Sequence, residues 1–277
     1  MTLRRTLLIL VGIGALVGVA LIGWGYWQAT RDPLMRSARI AVSDWPEGAP
    51  PVRLVLMSDL HVAGPDMPPE RLARIVGQVN AMQPDLVLVA GDLVSDKPPA
   101  TRRYSEAEAV APLGRLRTTL GVIAVLGNHD YGRDVAAFRT ALGAEGVTVL
   151  DNDAVVRGPL VVGGVDDAVT RHADVGAMWR AMARLPGHRL VLSHSPDIVP
   201  DLPGPVALVA AGHTHCGQIS LPLIGRLATA SRYGERFACG LIRDRGQPVV
   251  VSAGLGTSIV PLRYGVPPDL WLIELGK

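Results

Sequence analysis

Aromatic residues are scarce in this chain, 4% of 277, with only two phenylalanines. Cysteine is scarcer still. Cys216 and Cys239 stand alone, which rules out a disulfide framework and leaves either one bridge or two free thiols. Neither charge is in excess: the formal net charge is +2, so the basic stripe of a nucleic-acid-binding protein is missing and no such partner is expected. Beyond the first 30 residues no repeat or low-complexity tract occurs. What is abundant is aliphatic side chains, glycine and proline, with 31 Gly and 22 Pro. That mixture suits short strands joined by tight turns rather than a helical bundle. The length allows one large α/β domain with a substantial core.

Leu7 to Trp27 is an uncharged run of 21 residues, and a membrane-spanning helix needs about 20. Arg4 and Arg5 precede it, and Trp24, Tyr26 and Trp27 close it as an interfacial aromatic belt does. Arg4-Arg5 before an apolar run also resembles a twin-arginine signal. The run exceeds a normal signal core, however, and Tyr26, Trp27 and Gln28 stand where cleavage needs small residues. An uncleaved anchor over residues 1–30 is therefore expected. Arg4 and Arg5 favour a cytoplasmic N-terminus, hence a single-pass cell-membrane protein with its catalytic domain on the extracytoplasmic side. Arg31, Arg36 and Arg39 beyond the span act against that bias. Gly14 and Gly18 form a G-x-x-x-G pair, which chance explains better than dimerisation in so glycine-rich a span.

Arg31 to Pro51 is polar and punctuated by proline, and reads as a linker over 31–51 leading to a domain over 52–277. Strands are expected at Val52 to Met57, Leu86 to Ala90 and Val122 to Leu126. Helices follow at Pro69 to Met82, where Leu72, Ile75, Val76 and Val79 recur at helical spacing, and from the Ser105/Glu108 capping box to about Arg117. A helix over Val135 to Leu142 precedes short strands at Val147 to Leu150, Ala154 to Arg157 and Leu160 to Val165. Asp174 to Leu185 is helical in pattern, and strands follow at Arg189 to Leu192 and Val206 to Ala210. The tail gives strands near Cys239 to Ile242, Val249 to Ser252 and Leu270 to Leu275, after a Gly- and Arg-rich loop from Pro222 to Phe237.

Five of these apolar strands end in metal-ligand residue types: Asp59 with His61, Asp92, Asn128 with His129, His194, and His213 with His215. In open α/β sheets ligands gather beyond the carboxyl ends of strands, so the five endings converge on one rim. Any one of them has a plain structural explanation. Together they do not, because five of only seven histidines fall at strand ends. Mixed Asp, His and Asn donors suit divalent Mn, Fe, Zn or Ni. The donors are too many for one ion, and two ions need a bridging carboxylate.

The series Asp59-Leu60-His61, Gly91-Asp92, Gly127-Asn128-His129-Asp130, His194 and Gly212-His213-Thr214-His215 resembles the calcineurin-like metallophosphoesterase family. The resemblance spans about Val52 to Leu275. It implies a four-layer α/β/β/α sandwich, two mixed β-sheets packed face to face with flanking helices. It also implies two divalent metal ions: Asp59, His61 and His215 on one, Asn128, His194 and His213 on the other, and Asp92 between them. His129 is then the group that contacts substrate and protonates the leaving oxygen, with Asp130 orienting it. The anchor, Gly217-Gln218-Ile219 and Pro261-Leu262-Arg263 resemble the YaeI/YkuE-like branch of bacterial phosphodiesterases. Cys216 departs from that branch, where glycine is common, and reads as a small residue in a tight turn. Arg263, and less directly Arg232 or Arg236, is a candidate for bidentate contact with a substrate phosphate.

The activity expected from this set is metal-dependent hydrolysis of a phosphodiester near a membrane, by in-line attack of an activated water on phosphorus. A second possibility is a pyrophosphatase acting on a nucleotide-linked lipid, which needs an acyl groove that the sequence does not locate. A third is a non-catalytic membrane scaffold that binds metal, against which the full ligand set argues.

Overall fold

The computed structural model describes residues 3–277. It opens with helix α1 (Leu3–Thr30) and strand β1 (Leu34–Ala41). Next come β2 (Val52–Met57), α2 (Pro69–Ala81), β3 (Leu86–Ala90), α3 (Glu106–Val110), β4 (Val122–Val125), α4 (Val135–Ala144) and β5 (Val147–Val149). The second half supplies β6 (Asp153–Arg157), β7 (Leu160–Val165), α5 (Val175–Ala183), β8 (His188–Ser193) and β9 (Leu208–Ala211). A small hairpin of β10 (Ser220–Leu221) and β11 (Gly225–Arg226) precedes β12 (Gly240–Asp244), β13 (Gln247–Val251) and β14 (Asp269–Gly276).

Six strands form one sheet in the order β1-β14-β2-β3-β4-β5, and six form another in the order β12-β13-β9-β8-β7-β6. Both sheets are mixed. β2 to β5 are parallel with β14 antiparallel beside β2, and β7, β8, β9 and β13 are parallel with β6 and β12 antiparallel at the edges.

Because successive strand residues point to opposite faces, each aliphatic strand feeds two cores. Leu54, Leu56, Leu86, Leu88 and Ile123 of the first sheet meet Val162, Leu190, Leu192, Leu208 and Val250 of the second. Their neighbours Val55, Met57, Val87 and Val89 turn outward against Leu72, Ile75 and Val79 of α2 and Phe138 of α4. On the far side, Val161, Val191, Val209 and Val249 pack on Met178 and Met182 of α5. The result is the four-layer helix/sheet/sheet/helix arrangement expected from the motif series.

Two elements differ from expectation. Part of the stretch read as a linker is β1, which runs parallel to β14 from Leu34 opposite Asp269 to Ala41 opposite Gly276. It lies at a sheet edge and buries only Ala38 and Ile40, so little apolar alternation marks it. Its place comes from distant partners instead, with Arg36 paired to Asp269 and Arg39 to Glu274. The helix capped by Ser105 and Glu108 has both capping-box hydrogen bonds, yet α3 stops at Val110 and continues as a 3₁₀ turn over Ala111–Arg115. Pro112 has no N–H to extend an α-helical ladder.

Candidate metal centre

The carboxyl ends of β2, β3, β4, β8 and β9 share one rim. The residues that follow them, Asp59 and His61, Asp92, Asn128 and His129, His194, and His213 and His215, meet there. The turns that carry them are strained. Asp59, His61, Asp92, His213 and His215 all have φ between 45° and 68°, a left-handed region that costs a non-glycine residue about 1–3 kcal/mol. Backbone strain of this kind recurs at functional sites, where the surroundings hold it in place.

Two glycines make the close approach possible. A Cβ on Gly127 would overlap the Asp92 carboxylate and lie 2.9 Å from His194 Cε1, and one on Gly212 would overlap Asp59 and Ser58. Gly127→Ala should therefore weaken divalent-cation binding about 10- to 100-fold. Calorimetric metal titration of the folded variant checks this, and unchanged affinity would show that the Asp92 turn does not depend on that contact.

The donors form two clusters that share one carboxylate. In the first, His215 Nε2 is 3.0 Å from His61 Nε2 and 3.5 Å from Asp59 Oδ1. In the second, His194 Nε2 is 3.1 Å from Asn128 Oδ1 and 3.2 Å from His213 Nδ1. Between them stands Asp92, whose Oδ2 is 3.4 Å from both His61 Nε2 and His194 Nε2. Ligand atoms about 2.1 Å from a common ion lie ~3.0 Å apart at right angles and ~3.4 Å apart at tetrahedral angles. The observed separations have the lengths of coordination-shell edges.

Protonation points the same way. His61 Nδ1 faces the Val94 carbonyl at 3.2 Å and His194 Nδ1 the Ala90 carbonyl at 2.8 Å, so each ring donates on that side and aims Nε2 at the cleft. Burial lowers His61 to about 3, His213 to about 4 and His215 well below the ordinary imidazole range, leaving these rings neutral. Burial, helped by the Asp92 charge, raises Asp59 to about 7. Burial opposes the charges on Asp92 and His194 too, but their mutual attraction prevails: Asp92 is held well below the carboxylate range and His194 rises to about 10. Three imidazoles that stay neutral, with an Asp92–His194 pair whose proton a divalent cation would displace, make a donor set that fits such cations.

Asp92, Asn128, His213 and His215 line a cavity of about 380 Å³, among whose lining residues there is no arginine or lysine. A phosphate anion bound there has no guanidinium or ammonium to neutralise it. The sequence profile of calcineurin-like phosphoesterases matches residues 52–217.

The chain belongs to the calcineurin-like phosphoesterase family. This metallophosphoesterase is 30% identical over 276 residues to the uncharacterized metallophosphoesterase YkuE of Bacillus subtilis, covering 95% of this chain and 94% of the relative. A Danio rerio transmembrane protein with metallophosphoesterase domain is 32% identical over 305 residues, covering 98% of this chain. The chain spans 63% of that relative's length, under two thirds of it. Phosphodiesterase YaeI of Escherichia coli is 27% identical over 268 residues, covering 91% of this chain and 93% of the relative. Membership makes the chain a member of a phosphoester hydrolase family and, with the donor clusters, indicates divalent metal binding.

Several candidate residues of this metallophosphoesterase sit differently from expectation. Arg263 does not face the cavity. It is fully buried, and its guanidinium donates to the carbonyls of Ala253, Gly254, Gly256 and Val266. Its Nη2 lies 3.4 Å from His215 Nδ1, so it braces the loop behind the metal cleft. Arg232 and Arg236 are engaged with Asp197 and Asp244. Asp130 does not orient His129. Its buried carboxylate accepts the N–H groups of Leu93 at 2.8 Å and Gly127 at 2.9 Å, tying the β3 and β4 turns together. His129 does line the cavity, its ring edge-on to His61 at 4.8 Å and its main-chain N–H donated to Asp92 Oδ1 at 2.9 Å. Ser258 has its Oγ 3.5 Å from His129 Nε2, and nothing in its sequence surroundings sets it apart.

Cys216 and Cys239 form a disulfide. It closes a loop of 23 residues that includes the β10–β11 hairpin and one wall of the cavity. Replacing both cysteines by serine should cost about 3 kcal/mol of stability, measured by denaturant unfolding. Equal midpoints for the variant and the parent would contradict that.

Proposed function

We propose that this protein is a membrane-anchored phosphodiesterase that holds two divalent cations, one at Asp59, His61 and His215 and one at Asn128, His194 and His213, with Asp92 shared. The observation that carries the reading is the position of Asp92 Oδ2, equidistant from an imidazole of each cluster. When bound, two such ions activate water and clamp the attacking and leaving oxygens of a phosphoryl displacement.

The chain's own groups then have separate tasks. Asp92 fixes the spacing of the two clusters and, through its other oxygen, holds the His129 main chain. His129, on the cavity surface beside Ser258, donates a proton to the departing alkoxide. Asp130 and Arg263 keep the turns beneath these residues rigid. With no arginine or lysine on the cavity wall, affinity for the phosphate depends chiefly on the cations.

Helix α1 supports the anchoring: it is apolar enough to span a bilayer, and relatives carry names of transmembrane proteins. The disulfide supports an extracytoplasmic domain, since such bonds persist in oxidising compartments. The test is a panel of aryl phosphomonoester, aryl phosphodiester and nucleotide pyrophosphate, offered to the full chain after reconstitution with Mn, Fe, Zn or Ni. Preferential diester turnover is expected. A preference for pyrophosphate would move the assignment to a pyrophosphatase, and stoichiometric metal without turnover would favour a scaffold.

A further inference from the structure

Large apolar side chains stand in solvent along one side of the cavity mouth. Leu223 is fully exposed at the tip of the β10–β11 hairpin, and Ile224, Leu227 and Ile259 are 58–71% exposed. Single exposed leucines are ordinary, but a group of them on adjoining loops marks a contact surface. Leu227 and Ile259 also line the cavity, so the exposed patch and the catalytic wall are continuous.

The same loops are fastened to the apolar helix. Ser220 N–H donates to the Tyr264 carbonyl at 2.8 Å and Tyr264 N–H to the Gln218 carbonyl at 3.2 Å, joining the hairpin to the loop that follows Ile259. The Tyr264 hydroxyl in turn donates to the Leu21 carbonyl of α1 at 2.8 Å, and Arg263 N–H to the Gly25 carbonyl at 3.0 Å. The Tyr264 ring packs so closely on α1 that a Cβ at Gly25 would lie 2.5 Å from its Cζ.

These contacts set a depth. At 1.5 Å rise per residue, Leu21 lies ~9 Å below Trp27 along the helix axis. With Trp24, Tyr26 and Trp27 at the membrane interface, Tyr264 and the strand paired to it are held near the boundary between headgroups and acyl chains.

We propose that the hairpin tip, Leu223 and Ile224, together with Ile259, inserts into the leaflet where α1 emerges, so that the cavity receives the phosphodiester headgroup of a lipid still seated in the bilayer. The proposal rests on the reading of α1 as an anchor and of the site as a phosphodiesterase. It names the substrate class: a membrane amphiphile, whose apolar part passes along Leu227 and Ile259 without crossing water.

Two experiments on the full chain in phosphatidylcholine/phosphatidylglycerol nanodiscs test it. In the first, a nitroxide on Ile224→Cys should be relaxed by oxygen and shielded from chromium oxalate. Relaxation chiefly by chromium oxalate would overturn insertion, whatever the activity. In the second, Leu223→Asp with Ile224→Asp should leave turnover of soluble bis(4-nitrophenyl) phosphate unchanged while lowering phosphatidylglycerol hydrolysis about tenfold or more. Equal losses on both substrates, or no loss on the lipid, would overturn the role of the hairpin. A parent protein that hydrolyses the soluble diester but not phosphatidylglycerol would overturn the substrate class and leave the phosphodiesterase reading intact. Inactivity on both would remove that reading as well, with insertion then decided by the nitroxide.

Discussion

Asp92→Asn should lower kcat/KM for an aryl phosphodiester by about 10³ or more, the scale of losing a principal transition-state charge stabiliser. One carboxylate oxygen, 3.4 Å from an imidazole of each cluster, is the link between them. An amide in its place carries no charge, and its NH₂ group offers hydrogens where lone pairs are needed. Asn can still present an oxygen to the His129 N–H, so the turn and the fold should persist. The variant therefore separates loss of chemistry from loss of structure. Circular dichroism should match the parent, while metal content falls and the melting temperature drops with it. Full turnover in a variant of known metal content would rule out a shared carboxylate as the basis of catalysis.

Arg263→Met should destabilise the protein by about 3–5 kcal/mol, the cost of removing a buried charged partner and orphaning its acceptors. Four carbonyls, those of Ala253, Gly254, Gly256 and Val266, receive their hydrogen bonds from this one guanidinium. Burial lowers Arg263 to about 10, which still leaves it charged at neutral pH. A methionine fills similar space and supplies no donor. Chemical denaturation measures the effect directly, and Arg263→Lys should recover only part of it because one ammonium cannot reach all four acceptors. A substrate-binding arginine would behave in the opposite way, with KM raised and the unfolding midpoint unmoved. That outcome would restore Arg263 to the cavity.

The contrast between these two residues shows what could be read from sequence. Asp92 was legible because metal chemistry restricts residue types, and the donors follow directly after apolar strands whose ends share a rim. Burial and hydrogen-bond partners carry no such local signature. An arginine beside Pro261 and Leu262 looks the same whether it faces phosphate or main-chain carbonyls. The cysteines make the same point: 23 residues apart in sequence, they have Cα atoms 4.7 Å apart only because the fold returns the chain to that place. Strand β1 has no local signature, since an edge strand with mostly exposed side chains gains its register from β14, more than 200 residues away. Strands β10 and β11 have two residues each, too few for any period to show. The strained backbone of the donors was also hidden, since Asp and His do not announce positive φ as glycine does.

The most direct measurement is anomalous diffraction from crystals of the full chain equilibrated with manganese. Two peaks are expected about 3.5–4 Å apart, with the Asp92 carboxylate between them, one peak beside Asp59, His61 and His215 and the other beside Asn128, His194 and His213. A single peak, or an Asp92 side chain turned away from the histidines, would contradict the shared two-cation site.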